Sequence, residues 1–256
     1  MKSNKCVILI PIYKEKICCE EYMIISNIIK IFNDKYDIFF MCSNELNTYN
    51  YDKLFNIKYR KYNYNNIDQY SQILLNKNFY KEYLQYDYML ISQHDSYIFN
   101  ENLLEYYINK KYPYIGALFN IFSYLCIDFH IHWDLINKTI EYLYLNNGCV
   151  KDLKNVMSTV KVNRTEFNYL GMNGGLSLRR IDLLYNLLNK YNLCGIEDQE
   201  ISKLLYNLKL FDDMLIKDII NFSSIDYYTL DIYKKYNIIP FGSHKTYKDF
   251  IENYMQ

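Results

Sequence analysis

Residues 5–12 read KCVILIPI, with seven nonpolar positions in a row after Lys5. An apolar run without alternation fits a strand buried on both faces, and Pro11, which has no N–H to give to a ladder, marks its carboxyl end. Over 20–33 the apolar positions recur at helical spacing, while 37–42 (DIFFMC) and, more weakly, 57–62 read as the second and third strands. A long amphipathic helix is predicted over 70–84, followed by a fourth strand over 88–92 (YMLIS). Strands and helices in this order, with strands that are apolar throughout, predict an α/β fold on a mostly parallel sheet flanked by helices.

After Tyr112 the rhythm changes. Residues 117–133 are aromatic and irregular, 135–145 look helical, and 151–168 show no consistent period, so this middle section is expected to loop over the sheet, where an acceptor could be recognised. A short strand over 176–179, helices over 181–193 and 200–208 and a last strand over 238–241, before a helical tail, complete the pattern. There is no internal repeat and no linker rich in Pro, Gly or Ser, which favours one domain over two for 256 residues.

Charge narrows the classes of function. With 29 basic and 29 acidic residues the formal net charge is zero, so no global field would hold the chain on nucleic acid or on an anionic bilayer. The longest apolar stretches are too short, or too interrupted by Lys and Asn, to cross a membrane, which takes about 20 apolar residues. The first stretch is broken by Pro11, is followed at once by Lys14, Glu15 and Lys16, and offers no small-residue cleavage site, so it reads as a strand and not as a signal peptide. Seven Cys is an odd number without C-x-x-C spacing, and the adjacent Cys18 and Cys19 make poor partners, so reduced thiols in the cytoplasm are the simplest reading. The 31 Tyr and the 25 Lys against 4 Arg look like compositional drift of an AT-rich genome, which discounts Tyr clusters as binding sites.

Four local patterns carry chemistry. The first strand ends in Pro11-Ile12-Tyr13-Lys14-Glu15, at the carboxyl edge of a parallel sheet, where α/β proteins bind ligands, although an ordinary strand end reads the same way. Gln93-His94-Asp95 follows the fourth strand; a carboxylate there suits a hard divalent cation or a ribose, and it equally suits a helix cap. Asn173-Gly174-Gly175 spends two of only seven Gly just before a strand, which signals either a close approach to the backbone or a hairpin turn. Downstream lie Glu197-Asp198, where acids also favour the first turn of a helix through its dipole, and Pro240-Phe241-Gly242-Ser243-His244 at a strand end.

In order and spacing these segments, together with YSQILLNKNFYKEYLQYDYMLISQHDSYIF, YIGA and NGGLSLR, resemble family 5672 of domains of unknown function, bacterial proteins regarded as glycosyltransferases of the GT-A type. The resemblance runs from about Val7 to His244 and is weakest over 118–170. It implies a hexosyltransferase-like enzyme moving a sugar from a nucleotide-diphosphosugar donor to a hydroxyl of a glycan or surface polysaccharide precursor. The chain would then be a single GT-A-like domain, with a nucleotide-binding half over about 1–116 and an acceptor-binding half over about 117–256. It would sit in the cytoplasm, free or peripheral at the inner membrane face, with no nucleic-acid partner.

The resemblance also assigns residues. Pro11, Tyr13 and Glu15 would lie near base and ribose; Asp95 and His244 would hold Mn²⁺ or Mg²⁺ on the diphosphate. Gln93 stands where such enzymes usually carry the first acid of Asp-x-Asp, leaving one carboxylate fewer for the ion. Asn173, Gly174 and Gly175 would contact the donor sugar or acceptor, and Asp198, with Glu197 beside it, would be the catalytic base of an inverting transfer. Two other readings compete: a non-catalytic carbohydrate- or nucleotide-binding relic of the same fold, and a sugar nucleotidyltransferase, which usually needs a Gly-, Arg- and Lys-bearing phosphate loop that residues 11–20 lack in Gly and Arg. Phe129, His130, His132 and Trp133 would suit sugar stacking, and the two His read as loop residues in preference to zinc ligands.

Overall fold

The computed structural model describes residues 2–118, 130–159, 171–224, 227–244 and 248. The first strand, β1 (Cys6–Pro11), is buried along its whole length and pairs in parallel with β2 (Asp37–Ser43) on one side and β4 (Tyr88–Ser92) on the other. β3 (Lys58–Tyr62) adds in parallel outside β2, where its Lys and Arg side chains tolerate the edge. Beyond β4 lies β7 (Met172–Arg180), antiparallel to it, and then β6 (Tyr114–Leu118), so the sheet order is β3-β2-β1-β4-β7-β6 and five of its six strands run the same way. Full burial of β1 and β4 follows from helices covering the sheet, for example α1 (Cys19–Phe32), which buries Ile24, Ile25, Ile28 and Phe32 at i, i+4 spacing. Among the described residues no helix is long and apolar enough to cross a membrane.

A second, three-stranded sheet joins β5 (Ser96–Ile98), β9 (Gly242–His244) and β8 (Ser223–Ser224). Its antiparallel register puts His244 opposite Ser96, one residue from Asp95. Neither β5 nor this pairing is readable from the local pattern, because three-residue strands carry no period.

The elements depart from expectation in several places. The helix expected over 70–84 is two helices, α3 (Ile67–Leu74) and α4 (Lys77–Lys81), because Asn76 leaves the helical conformation and accepts the Asn78 N–H at 2.9 Å as a new N-cap. Residues 150–159 are helical (α7, Val150–Thr159) and not a loop; α6 (His130–Leu145) starts five residues earlier than its pattern suggested and includes His130 and His132 in its first turn. The last strand is Gly242–His244, not 238–241. Four further helices, α2 (Tyr49–Leu54), α5 (Leu103–Lys110), α10 (Ile216–Phe222) and α11 (Tyr227–Tyr236), go unforeseen, and each buries apolar residues against the core. Between α5 and α10 in sequence lie α8 (Ile181–Lys190) and α9 (Glu197–Asn207), as their spacing predicts.

Candidate functional site

At the carboxyl ends of β1, β2, β3 and β4 the parallel strands open into a cleft of about 800 Å³. Pro11, Tyr13, Lys14 and Glu15 line it at the end of β1, Ser43 and Glu45 at the end of β2, Tyr64, Asn65, Asn66, Ile67 and Tyr70 after β3, and Gln93, His94 and Asp95 after β4. Three of the donor-site residues named from the sequence, Pro11, Tyr13 and Glu15, thus share one cavity with Gln93 and Asp95. Tyr13 reaches His94 through a 2.6 Å hydrogen bond between Oη and Nε2, with the rings edge to face. Burial lowers the His94 pKa, against the pull of Asp95 and Glu21, which favours the neutral ring.

β7 runs against β4, so it begins where β4 ends. The Gln93 N–H donates to the Gly175 carbonyl at 2.8 Å, and the Ser96 hydroxyl donates to the same oxygen at 3.1 Å. Asn173 Oδ1 accepts the Gly175 N–H at 2.8 Å. The two glycines lie inside β7 and make no hairpin turn; what they permit is close approach. A Cβ on Gly175 would sit 2.3 Å from His244 Nε2, and one on Gly174 would sit 3.0 Å from Glu197 Oε2, 3.1 Å from Arg179 Nη2 and 3.2 Å from the Asp198 Cβ. These faces, which the sequence reading left open for a sugar, are occupied by the protein's own side chains.

The metal reading rests on Asp95 and His244. Asp95 Oδ1 and His244 Nε2 stand 3.1 Å apart, both buried, and neither is aligned for a hydrogen bond with any described group. Two ligands on adjacent positions of an octahedral ion, each about 2.1 Å from it, would be about 3.0 Å apart, so the spacing fits a shared Mg²⁺ or Mn²⁺. Burial acts to raise the Asp95 carboxyl, but the neighbouring imidazoles of His244 and His94 outweigh it and hold the pKa below the ordinary value, which keeps a ligand charge available. Among the described residues no group of three or more His, Cys, Asp or Glu side chains is arranged around one point, so the remaining ligands would have to come from a diphosphate and from water.

On the other side of Gly174, α9 opens with the two acids. Asp198 Oδ2 accepts the Gly174 N–H at 3.1 Å, whereas its Oδ1 is buried without a hydrogen-bond partner among the described residues. Glu197, 5% exposed, lies with Oε1 2.6 Å from Nη1 of the wholly buried Arg179. Burial pushes the Glu197 carboxyl up to about 7 against the pull of Arg179, and burial likewise raises Asp198 although the Gly174 N–H and Arg179 oppose it.

The structure therefore brings Gln93, Asp95, Asn173, Gly174, Gly175, Glu197, Asp198 and His244 into one neighbourhood beside the cleft. Phe129 and the side chains of His130, His132 and Trp133 lie outside the described residues. Reading by sequence overlooks Arg179, though one of only four Arg in a Lys-biased chain, within an apolar strand, is a usable signal. It also overlooks Tyr64, Tyr70, Ser43 and Glu45, which the strand-end rule would have found behind β2 and β3.

A family model described as "Protein of unknown function (DUF5672)" matches residues 54–244. No curated protein matches the chain. Among solved structures, it is similar to the mannosyltransferase Ktr4p from S. cerevisiae in complex with GDP, at 11% identity and a TM-score of 0.43, over 83% of this chain and 64% of that one. It thus spans less than two thirds of the mannosyltransferase. The galactosyltransferase LgtC, in complex with donor and acceptor sugar analogs, gives 11% identity and a TM-score of 0.44 over 93% of this chain and 86% of that one.

Proposed function

The chain belongs to the DUF5672 family, whose function is unknown, and we propose that it is a glycosyltransferase moving a sugar from a nucleotide-diphosphosugar to a hydroxyl acceptor. The observation that carries this reading is the convergence of four distant segments (93–95, 173–175, 197–198 and 244) at the carboxyl ends of parallel strands, beside an open cleft of nucleotide size. In this reading the cleft takes base, ribose and diphosphate, with Tyr13 and Glu15 at its rim, and the 1–116 segment supplies most of that half of the site. Asp95 and His244 would hold Mn²⁺ or Mg²⁺, which when bound supplies Lewis-acid neutralisation of the leaving diphosphate.

Asp198 is the better base of the acidic pair. Glu197 is held against Arg179 and one Asp198 oxygen is held by Gly174; Asp198 Oδ1, buried and without a hydrogen-bond partner among the described residues, is the oxygen an acceptor hydroxyl would meet on entering beside Gly174. In an inverting transfer the hydroxyl oxygen bonds to the anomeric carbon as the bond from that carbon to the diphosphate oxygen breaks; the diphosphate leaves with the electron pair and Asp198 takes the hydroxyl proton. The raised pKa moves a carboxylate base toward the working pH, where it is more effective.

One observation favours a second reading, a nucleotide- or carbohydrate-binding relic: Gln93 stands where the resemblance puts the first metal-holding acid, and among the described residues only Asp95 and His244 face each other there. A thermal-shift screen of UDP, GDP, CMP and TDP sugars with and without Mn²⁺, followed by assay of sugar release and transfer, separates the two. A Mn²⁺-dependent rise in melting temperature with one nucleotide class and turnover of its sugar is expected. Stabilisation without turnover identifies the relic, and the absence of any nucleotide-linked shift removes both.

A further inference from the structure

We propose that Arg179 is the positioning residue of this site, a buried guanidinium that ties the start of β7 to the start of α9 and so fixes where Asp198 presents its unpartnered oxygen. The inference rests on the transferase reading. Arg179 is 0% exposed and uses every nitrogen: Nε donates to Ser177 Oγ at 3.0 Å, Nη1 to Tyr80 Oη at 3.3 Å, and Nη2 to the Gly174 carbonyl at 3.3 Å, while Nη1 also lies 2.6 Å from Glu197 Oε1. Its plane stands over the Tyr114 ring at 5.2 Å. The Ser177 hydroxyl in turn donates to the Gly174 carbonyl at 2.9 Å, so that oxygen is gripped twice, and the N–H of the same residue is the group that holds Asp198.

A guanidinium in the interior carries a large desolvation penalty, and a large apolar side chain at such a strand position is often no less stable. Stability alone therefore gives a weak account of Arg179. Its contacts give a better one, because apart from Tyr80 and Tyr114 all of them lie on the 174–177 and 197 segments that flank Asp198. The planar fork fixes Gly174 and Glu197 at once, which the single ammonium of Lys cannot do. Gly174 completes the arrangement, since any side chain there would push apart Arg179, Glu197 and Asp198.

The test is a double-mutant cycle on transfer rate, with donor affinity by calorimetry, at a temperature where circular dichroism shows every variant fully folded. Arg179→Lys is expected to leave donor Kd within about twofold and to lower kcat by about tenfold or more. If Arg179 acts through Asp198, Arg179→Lys added to Asp198→Asn slows transfer no further than about twofold beyond Asp198→Asn alone. Arg179→Met, paired with Glu197→Gln to avoid a stranded carboxylate, provides a folded second variant if the Lys protein is unstable, and it must show the same non-additivity with Asp198→Asn. A wild-type rate in Arg179→Lys, or losses that multiply with those of Asp198→Asn, overturns the positioning role while transfer by the wild type stands. A wild type that transfers nothing from any nucleotide sugar overturns the transferase reading, and the positioning role with it.

Discussion

Asp198 and Glu197 are chemically near-twins one residue apart, and their neighbours give them different surroundings. Glu197 faces a buried cation, whereas Asp198 shares itself between a backbone N–H and an empty bonding position. Asp198→Asn preserves size and the Gly174 contact but removes basicity, so donor affinity and melting temperature should hold while transfer falls by about 100-fold or more. Kinetics alongside melting curves check this, and a normal rate would eliminate Asp198 as the base. In the wild type, the acid limb of kcat/KM should lie at a higher pH than an ordinary aspartate would give, because burial raises Asp198 and the base works only when ionised. At the Asp95–His244 pair, Asp95→Ala and His244→Ala should each reduce Mn²⁺-linked stabilisation by nucleotide, with the double variant little worse than the poorer single, since both would act through one ion. Unchanged Mn²⁺-linked shifts in both single variants would rule out the metal role.

At the scale of elements, the site depends on strands and helices meeting backbone to side chain. β9 delivers His244 onto the bare Cα of Gly175 in β7, so Gly175→Val should drive the imidazole from its place. Activity, Mn²⁺-linked binding and melting temperature are then expected to fall together; a loss of activity with full retention of metal-linked binding would show that Gly175 serves the substrate instead. Away from the cleft, Asp218 of α10 locks α5 in position: it is 1% exposed and accepts hydrogen bonds from Tyr106 Oη at 2.8 Å and Tyr112 Oη at 2.5 Å, with Lys110 Nζ 3.4 Å away. Asp218→Ala removes the shared acceptor of both phenol hydroxyls, but Tyr106 and Lys110 are about a third exposed and can turn to water, so about 1–3 kcal/mol of lost stability is expected in urea titration, with nucleotide affinity per folded molecule unchanged.

For the molecule as a whole, pH links site and stability. The Glu197 carboxyl, lifted in the fold from 4.5 to about 7, binds its proton more tightly folded than unfolded. Its contribution is therefore full below pH 4.5 and is lost as pH rises through 7. Between pH 5 and 8 the wild type should lose melting temperature relative to Glu197→Gln, which has no proton to lose. Parallel curves for the two proteins would place the native Glu197 pKa near its unfolded value, with Arg179 fully offsetting burial.

Much of this architecture was legible in the chain. The apolar runs at 5–12, 37–42 and 88–92 fit strands covered on both faces, because burial leaves no room for alternation, and such strands imply a parallel sheet whose carboxyl edge lies at Tyr13 and Asp95. The four motifs were equally visible as residues. Their meeting was not, because it depends on β7 running antiparallel beside β4 and on a three-residue strand pairing 96 with 244, and long-range pairing of short strands leaves no trace in local periodicity. Nor could the sequence say that the Gly174 and Gly175 faces would be filled by Arg179, Glu197, Asp198 and His244. Residue type fixes which groups are able to bind, ionise or pack tightly; only tertiary packing decides which of them are desolvated together, and desolvation separates a buried Glu197 paired with Arg179 from an Asp198 with one oxygen to spare.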